Sequence, residues 1–291
     1  MDPARLIVNP SAGGGRAGRV LPRVEAALAA LGVESATYRT RDLEHARELA
    51  REASGAGEMA VALGGDGLIG AVAGALAEHP GSRLGVLPGG RGNDFARVLG
   101  IPADPVEACG VIAAGSVRDL DLGAVDGRRF ACIASVGFDS DANRIANEAP
   151  SWLGGLVYAY GALRALAAWR PATFEVSVDG EEHRFRGYSV IAANTSCYGG
   201  GMRIAPDARL DDGQLDVVLT EHVSRLRFLA VLPKVFRGTH VGEPTVHVLR
   251  GREVAIRADR EFTVYADGDP IGELPVTVRA VPHVVRVLVP A

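Results

Sequence analysis

The sequence predicts an α/β domain with a layered, mostly parallel sheet over residues 1–122, followed by an antiparallel β domain over residues 123–291. Three observations carry that prediction. Apolar runs alternate with helical spacings through the first part, as strand-helix units on a parallel sheet require. Two of those runs stop at glycine-rich turns, Gly64-Gly65-Asp66-Gly67 and Pro88-Gly89-Gly90-Arg91-Gly92-Asn93-Asp94, the place where an open α/β sheet lines its ligand crevice. The second part is a series of short β-branched runs divided by Gly, Asp and Pro turns, which fits a sandwich or a barrel-like domain.

Residues 5–8 read as the first strand and residues 20–31 as an apolar-periodic helix. Between them lies Asn9-Pro10-Ser11-Ala12-Gly13-Gly14-Gly15-Arg16-Ala17-Gly18. Gly13, Gly15 and Gly18 match G-x-G-x-x-G, but that fingerprint expects an acid at the end of the second strand to hold a ribose hydroxyl. The second strand, residues 34–39, ends at Thr40. A phosphate-cradling loop with Arg16 as charge partner is the functional reading that remains, beside an ordinary βα turn. Leu43, Ala46, Leu49, Ala50 and Ala53 share one helical face, so residues 43–53 read as a helix. Residues 59–63 are an apolar run and residues 71–77 a weakly polar helix. In the turn joining them, glycine N–H groups approach a phosphate, the helix N-terminus adds partial positive charge, and Asp66 can hold a bridging metal. The same residues also read as a tight turn with Asp66 as N-cap. After the strand at 83–87, Asn93 and Asp94 supply acceptors while Arg91 and Arg97 supply charge.

Beyond Asp119-Leu120-Asp121-Leu122-Gly123 the pattern changes. A phosphatase-like D-x-D reading lacks the Thr or Val that should follow, so the segment reads as an extended crossover into the second domain. Strands are predicted at 129–135, 173–178, 185–193, 215–219, 245–249, 253–258, 262–265, 276–279 and 284–289, with one helix at 224–236. Residues 152–169 are nearly uncharged, but at 18 residues with three glycines they read as a buried or amphipathic helix rather than a membrane span. Trp152, Tyr158, Tyr160 and Trp169 also suit a surface that meets lipid. Gly199 to Asp216 sets four carboxylates near a glycine run, where Mg²⁺ or Ca²⁺ fits as well as a solvated turn. Tyr265-Ala266-Asp267-Gly268-Asp269-Pro270 places two acids at a strand end.

Composition narrows the chemistry. A formal net charge of −4 argues against a nucleic-acid partner. Among the 31 basic residues Lys234 is the only lysine, and it lies far from any glycine turn. A Walker A loop, a protein-kinase fold and a pyridoxal Schiff base each need a lysine in a defined context. Cys109, Cys132 and Cys197 lack metal-ligand spacing and read as reduced thiols, and residues 1–3 lack a secretory signal pattern, so a cytoplasmic protein is expected.

These motifs, in this order, resemble the diacylglycerol kinase catalytic-domain family of soluble lipid kinases, over nearly the whole chain. Asn9-Pro10 with its glycines, Gly64 to Gly67, Pro88 to Arg97, Gly199 to Asp216, and Asp267-Gly268-Asp269 carry the resemblance. It implies an N-terminal nucleotide-binding α/β domain like that of NAD kinase, a C-terminal antiparallel β-sandwich for the lipid, and a last strand that can return to the first domain. It also implies ATP-dependent phosphorylation of a lipid hydroxyl with Mg²⁺. By family position Asp267 is the general base, and Asp269 occupies the usual place of a glutamate. Asn9, Gly13, Gly14, Thr40, Gly64, Gly65, Asp66, Gly67, Gly90, Arg91, Asn93 and Asp94 are the expected nucleotide contacts. Asp212, with the carbonyls of Arg209 and Gln214, is similar to the family's structural Mg²⁺ site. The implied partners are a lipid substrate and the cytoplasmic membrane surface, reached peripherally and without nucleic acid; a homodimer stays open.

The chain departs from the family at Leu68 and Arg91, where threonines are usual, and at Ala71, where a glutamate is usual. Arg91 can replace a hydroxyl contact with a charge-assisted one to phosphate. Two rivals remain: an NAD kinase-like enzyme with a soluble acceptor, and a catalytically decayed lipid- or nucleotide-binding sensor.

Overall fold

The computed structural model describes residues 2–149 and 157–291. The chain divides into two compact units, one of Met1–Leu122, Arg129–Ala131 and Val281–Ala291, the other of Gly123–Arg128 and Cys132–Ala280.

The first unit alternates strand and helix as β1 (Ala4–Val8), α1 (Ala12–Ala30), β2 (Ser35–Arg39), α2 (Leu43–Gly55), β3 (Met59–Gly64), α3 (Asp66–Leu76) and β4 (Arg83–Pro88). Then follow α4 (Asp94–Val98), α5 (Pro105–Ala114), β5 (Val117–Val125) and β6 (Arg128–Phe130). The sheet is parallel, with β3 between β1 and β4, and β2 outside β1. Arg286 and Val287 extend it alongside β4, also in parallel. Every residue of β1 and β3 is buried, as expected of strands covered on both faces. The helices cap themselves: Asp42 accepts the His45 N–H at 2.8 Å and Asp104 the Val106 N–H at 2.9 Å.

Two expectations shift. The helix after β3 starts at Asp66 rather than at residue 71. Gly67, Gly70 and Gly74 weaken its intrinsic propensity, but nearly all of it is buried, and tertiary packing overrides propensity. The predicted loop after β1 is folded into the start of α1, where Gly13, Gly14 and Gly15 take φ of 61°, 66° and 84° before the regular turns begin. The segment holding Asp119 and Asp121 runs extended as strand β5, along which the chain passes from the first unit to the second, and buried Asp121 accepts the His283 N–H at 2.8 Å.

The second unit holds β7 (Ile133–Gly137), α6 (Phe138–Glu148), α7 (Val157–Ala168), β8 (Ala172–Val178), β9 (Glu181–Ala193) and β10 (Leu215–Glu221). After α8 (Arg225–Val235) and a 3-10 turn (Thr239–Gly242) come β11 (Val246–Gly251), β12 (Glu253–Ala258), β13 (Thr263–Ala266), β14 (Asp269–Glu273) and β15 (Val276–Leu288). Its strands pair antiparallel in a β-sandwich, with β9 joined to β7, β8 and β10. The predicted strand at 129–135 is two, β6 and β7, whereas those at 276–279 and 284–289 are one, β15. Of the uncharged run, Val157–Ala168 is helical, while Trp152, Gly154 and Gly155 lie outside the described residues. No helix among the described residues is long and apolar enough to cross a membrane. Cys109, Cys132 and Cys197 are free and buried.

Candidate functional site

In the first unit the turns after β1, β3 and β4 meet backbone to backbone. The Gly64 carbonyl accepts the N–H groups of Gly89 at 2.7 Å and Gly90 at 3.0 Å. A Cβ on Gly90 would lie 2.4 Å from the Gly65 Cα, and one on Gly13 would lie 2.5 Å from the Gly89 carbonyl oxygen. No side chain fits at either crossing. Asn93, at φ 53°, closes the third turn on itself: its Oδ1 accepts the Gly90 N–H at 2.8 Å and its Nδ2 donates to the Gly90 carbonyl at 3.1 Å. Its amide therefore fixes the Gly90 peptide.

Asp66 opens α3 and accepts the Phe95 N–H at 3.0 Å, tying the second glycine turn to the third. Burial pushes its carboxyl up, as does the neighbouring Asp94 charge, while the Phe95 and Asp94 N–H groups pull it down. Asp94 is 2% exposed and pairs with Arg97. Asn9 accepts the Ser11 N–H at 3.1 Å, and the Thr40 hydroxyl donates to the Val8 carbonyl at 3.3 Å. Gly14 and Arg91 are exposed, and Gly67 is half-buried. Of the three residues that depart from the family pattern, Leu68 and Ala71 are buried and face the core, while Arg91 is exposed. The α3 N-terminus, the glycine turns and exposed Arg91 are the groups of this unit whose charge and backbone freedom suit an anion.

In the second unit Asp267 and Gly268 form the two-residue turn between β13 and β14, at φ 51° and 93°. Positive φ at both positions suits an Asp-Gly hairpin turn. The Asp267 Oδ1 accepts the Cys132 N–H at 2.9 Å and the Ile133 N–H at 3.2 Å, so the turn is fastened to the start of β7. Asp269 opens β14 and is exposed.

Asp212 accepts the Gln214 N–H at 3.0 Å with one oxygen and meets Arg250 with the other. Arg250 also lies 3.5 Å from buried Asp216. Burial pushes the Asp216 carboxyl up to about 6, with Asp212 and Asp207 raising it and Arg250 lowering it. Among the described residues no three His, Cys, Asp or Glu side chains are grouped to hold a metal. Asp212 and the carbonyls of Arg209 and Gln214 are nevertheless hard oxygen donors of the kind a divalent cation takes, and Arg250 meets both Asp212 and Asp216. By donor chemistry this turn suits Mg²⁺, with Arg250 holding the Asp212 carboxylate in its place here.

Sequence reasoning missed a further site in this unit, an apolar pocket lined by Phe138, Ile191, Met202, Phe228, Val231 and Val235. Asp139 faces it and accepts the Tyr198 O–H at 2.6 Å. Burial pushes this carboxyl up, while hydrogen bonds from Tyr198 and Ser189 pull it down. The lining comes from several distant elements, so no local motif reports it. The one local signal is an acid, Asp139, directly after the apolar β7.

Residues 3–125 match the Diacylglycerol kinase catalytic domain, and residues 132–289 match the YegS C-terminal NAD kinase beta sandwich-like domain. A diacylglycerol kinase of Mycobacterium tuberculosis (strain ATCC 25618 / H37Rv) is 34% identical over 98% of this chain and 94% of its own length. The chain belongs to the diacylglycerol kinase family. A diacylglycerol kinase of Bacillus subtilis (strain 168) is 29% identical over 94% of this chain and 92% of its own. The fold is similar to that of a solved diacylglycerol kinase structure from Bacillus anthracis str. Sterne, with a TM-score of 0.76, 20% identity, and coverage of 99% of this chain and 97% of that one. Membership of this kinase family implies ATP as the phosphate donor.

Proposed function

We propose that this diacylglycerol kinase family member transfers the γ-phosphoryl group of ATP to a hydroxyl of diacylglycerol or a related lipid. The observation that carries the lipid half is the apolar pocket of the second unit, which offers hydrocarbon contact beside the hydrogen-bonded pair Asp139 and Tyr198. An amphipathic acceptor needs both. The glycine turns of the first unit support the nucleotide half, through Asn9, Gly13, Gly14, Thr40, Gly64, Gly65, Asp66, Gly67, Gly90, Arg91, Asn93 and Asp94.

Phosphoryl transfer depends on positioning and on stabilising spread charge more than on covalent help. The N–H groups of those turns and Arg91 bind the phosphates and neutralise charge as the bond to the leaving ADP breaks. Asp267 accepts the proton of the acceptor hydroxyl as its oxygen bonds to phosphorus. The Cys132 and Ile133 N–H groups hold that carboxylate in one orientation, and Asp269 assists from the family's glutamate position. Mg²⁺, when bound by Asp212 and the carbonyls of Arg209 and Gln214, would supply charge neutralisation that orders this acidic turn. Because the acceptor's chains reside in a bilayer, the protein works peripherally at the cytoplasmic membrane surface.

The test supplies labelled ATP and Mg²⁺ with mixed micelles of diacylglycerol, ceramide or a sphingoid base, and with NAD in a parallel reaction. Label in an extracted lipid is expected. Label on NAD alone would assign a soluble acceptor, and ATP binding without any labelled product would assign a sensor.

A further inference from the structure

Helix α8 is apolar on two opposite faces. Phe228, Val231, Leu232 and Val235 point inward and line the apolar pocket. On the other side Leu226 is 82% exposed, Leu229 37% and Phe236 56%, and at 3.6 residues per turn Leu226, Leu229, Ala230 and Pro233 form one continuous stripe. Exposed large apolar side chains that cluster in this way mark an interaction site.

Charge identifies the partner. Residues 224–238 carry Arg225, Arg227, Lys234 and Arg237 and no acid, in a chain whose formal net charge is −4. By helical spacing Arg227 and Lys234 flank the stripe on one edge and Arg225 on the other. Glu243 pairs with both Arg227 and Lys234, which leaves the segment cationic by three charges. An apolar stripe bordered by cations is the pattern of a helix that lies in the interface of an anionic bilayer. A second copy of the chain fits less well, because a two-fold contact would set these cations against one another.

Building on the reading that the acceptor is a lipid, we infer that the outer face of α8 docks on an anionic membrane surface. Leu226, Leu229 and Phe236 enter the headgroup boundary while the arginines and Lys234 contact phosphates. The helix that walls the pocket then also faces the bilayer from which an acceptor comes.

Co-sedimentation of the full chain with phosphatidylcholine vesicles, with and without phosphatidylglycerol, tests this. The native protein is expected to bind the anionic vesicles, and to be released by salt. The exposed double variant Leu226→Glu with Leu229→Glu should lose at least tenfold in partitioning, and Arg237→Gln about fivefold, the size expected for one cation at an anionic surface. Leu31→Glu, at a residue 46% exposed in the first unit, should bind as the parent does. Unchanged melting temperatures exclude misfolding. Phosphorylation of a short-chain, monomerically dispersed acceptor separates docking from chemistry. A double variant that loses vesicle binding but keeps that activity supports the inference. Loss of vesicle binding in a protein with no activity on any acceptor still supports docking while removing the kinase reading. Native protein that ignores anionic vesicles, a double variant that binds like the parent, or a dimer that the double variant dissociates would each overturn it.

Discussion

Single atoms decide whether the glycine turns of the first unit can close on one another. At Gly90 a methyl group would sit 2.4 Å from the Gly65 Cα, a distance no pair of carbons tolerates, and the obstacle is backbone rather than a flexible side chain. Gly90→Ala is expected to cost about 1–3 kcal/mol in stability, read by denaturant unfolding, and to abolish the rise in melting temperature that ATP gives the parent. Asp216 makes a second residue-level prediction. Its carboxyl is pushed up to about 6, above the value near 3.9 of an unfolded chain. The folded state holds this proton more tightly, so ionisation weakens the fold progressively as pH rises from about 4 to about 6, and the penalty is complete above that. Relative to the parent, Asp216→Asn should therefore gain on the order of 2–3 kcal/mol between pH 4 and pH 7, measured as unfolding free energies across that range. Mg²⁺ bound near Asp212 would shrink the difference.

Among the elements, α6 and its neighbours show where a sequence stops being informative. The buried strands were legible as short apolar runs bounded by turn residues, and the glycine turns because only glycine permits their close approaches. Helix α6 was not. Its residues Phe138–Glu148 are rich in Asp and Asn, which favour caps and turns over helix interiors, and its start is fixed by tertiary packing. Phe138 is 4% exposed and meets Trp169 and Tyr188 at 5.9 Å and Phe228 at 4.8 Å between ring centroids. Phe138→Ala should accordingly cost about 3–5 kcal/mol in denaturant unfolding, and it should weaken lipid phosphorylation more than ATP binding because Phe138 lines the pocket. The hydrogen bonds at Asp267 were hidden for a related reason. Its partners Cys132 and Ile133 lie 135 and 134 residues away in sequence, and no local pattern records a contact of that span. The Asp-Gly turn itself was visible.

For the molecule as a whole, the proposed reaction assigns its nucleotide half to the glycine turns of the first unit and its acceptor half to the second, which holds an apolar pocket beside Asp139 and, at a separate turn, the carboxylate of Asp267 fastened by the Cys132 and Ile133 N–H groups. Leu68 and Ala71, which depart from the family pattern, are both buried in the packing of α3. The most direct test compares steady-state lipid phosphorylation by the native protein and by Asp267→Asn, with ATP affinity measured on both by calorimetry. Loss of a positioned general base is expected to lower kcat by roughly 10²–10⁴-fold while ATP affinity stays unchanged. An Asp267→Asn protein that phosphorylates lipid at the native rate would contradict the account.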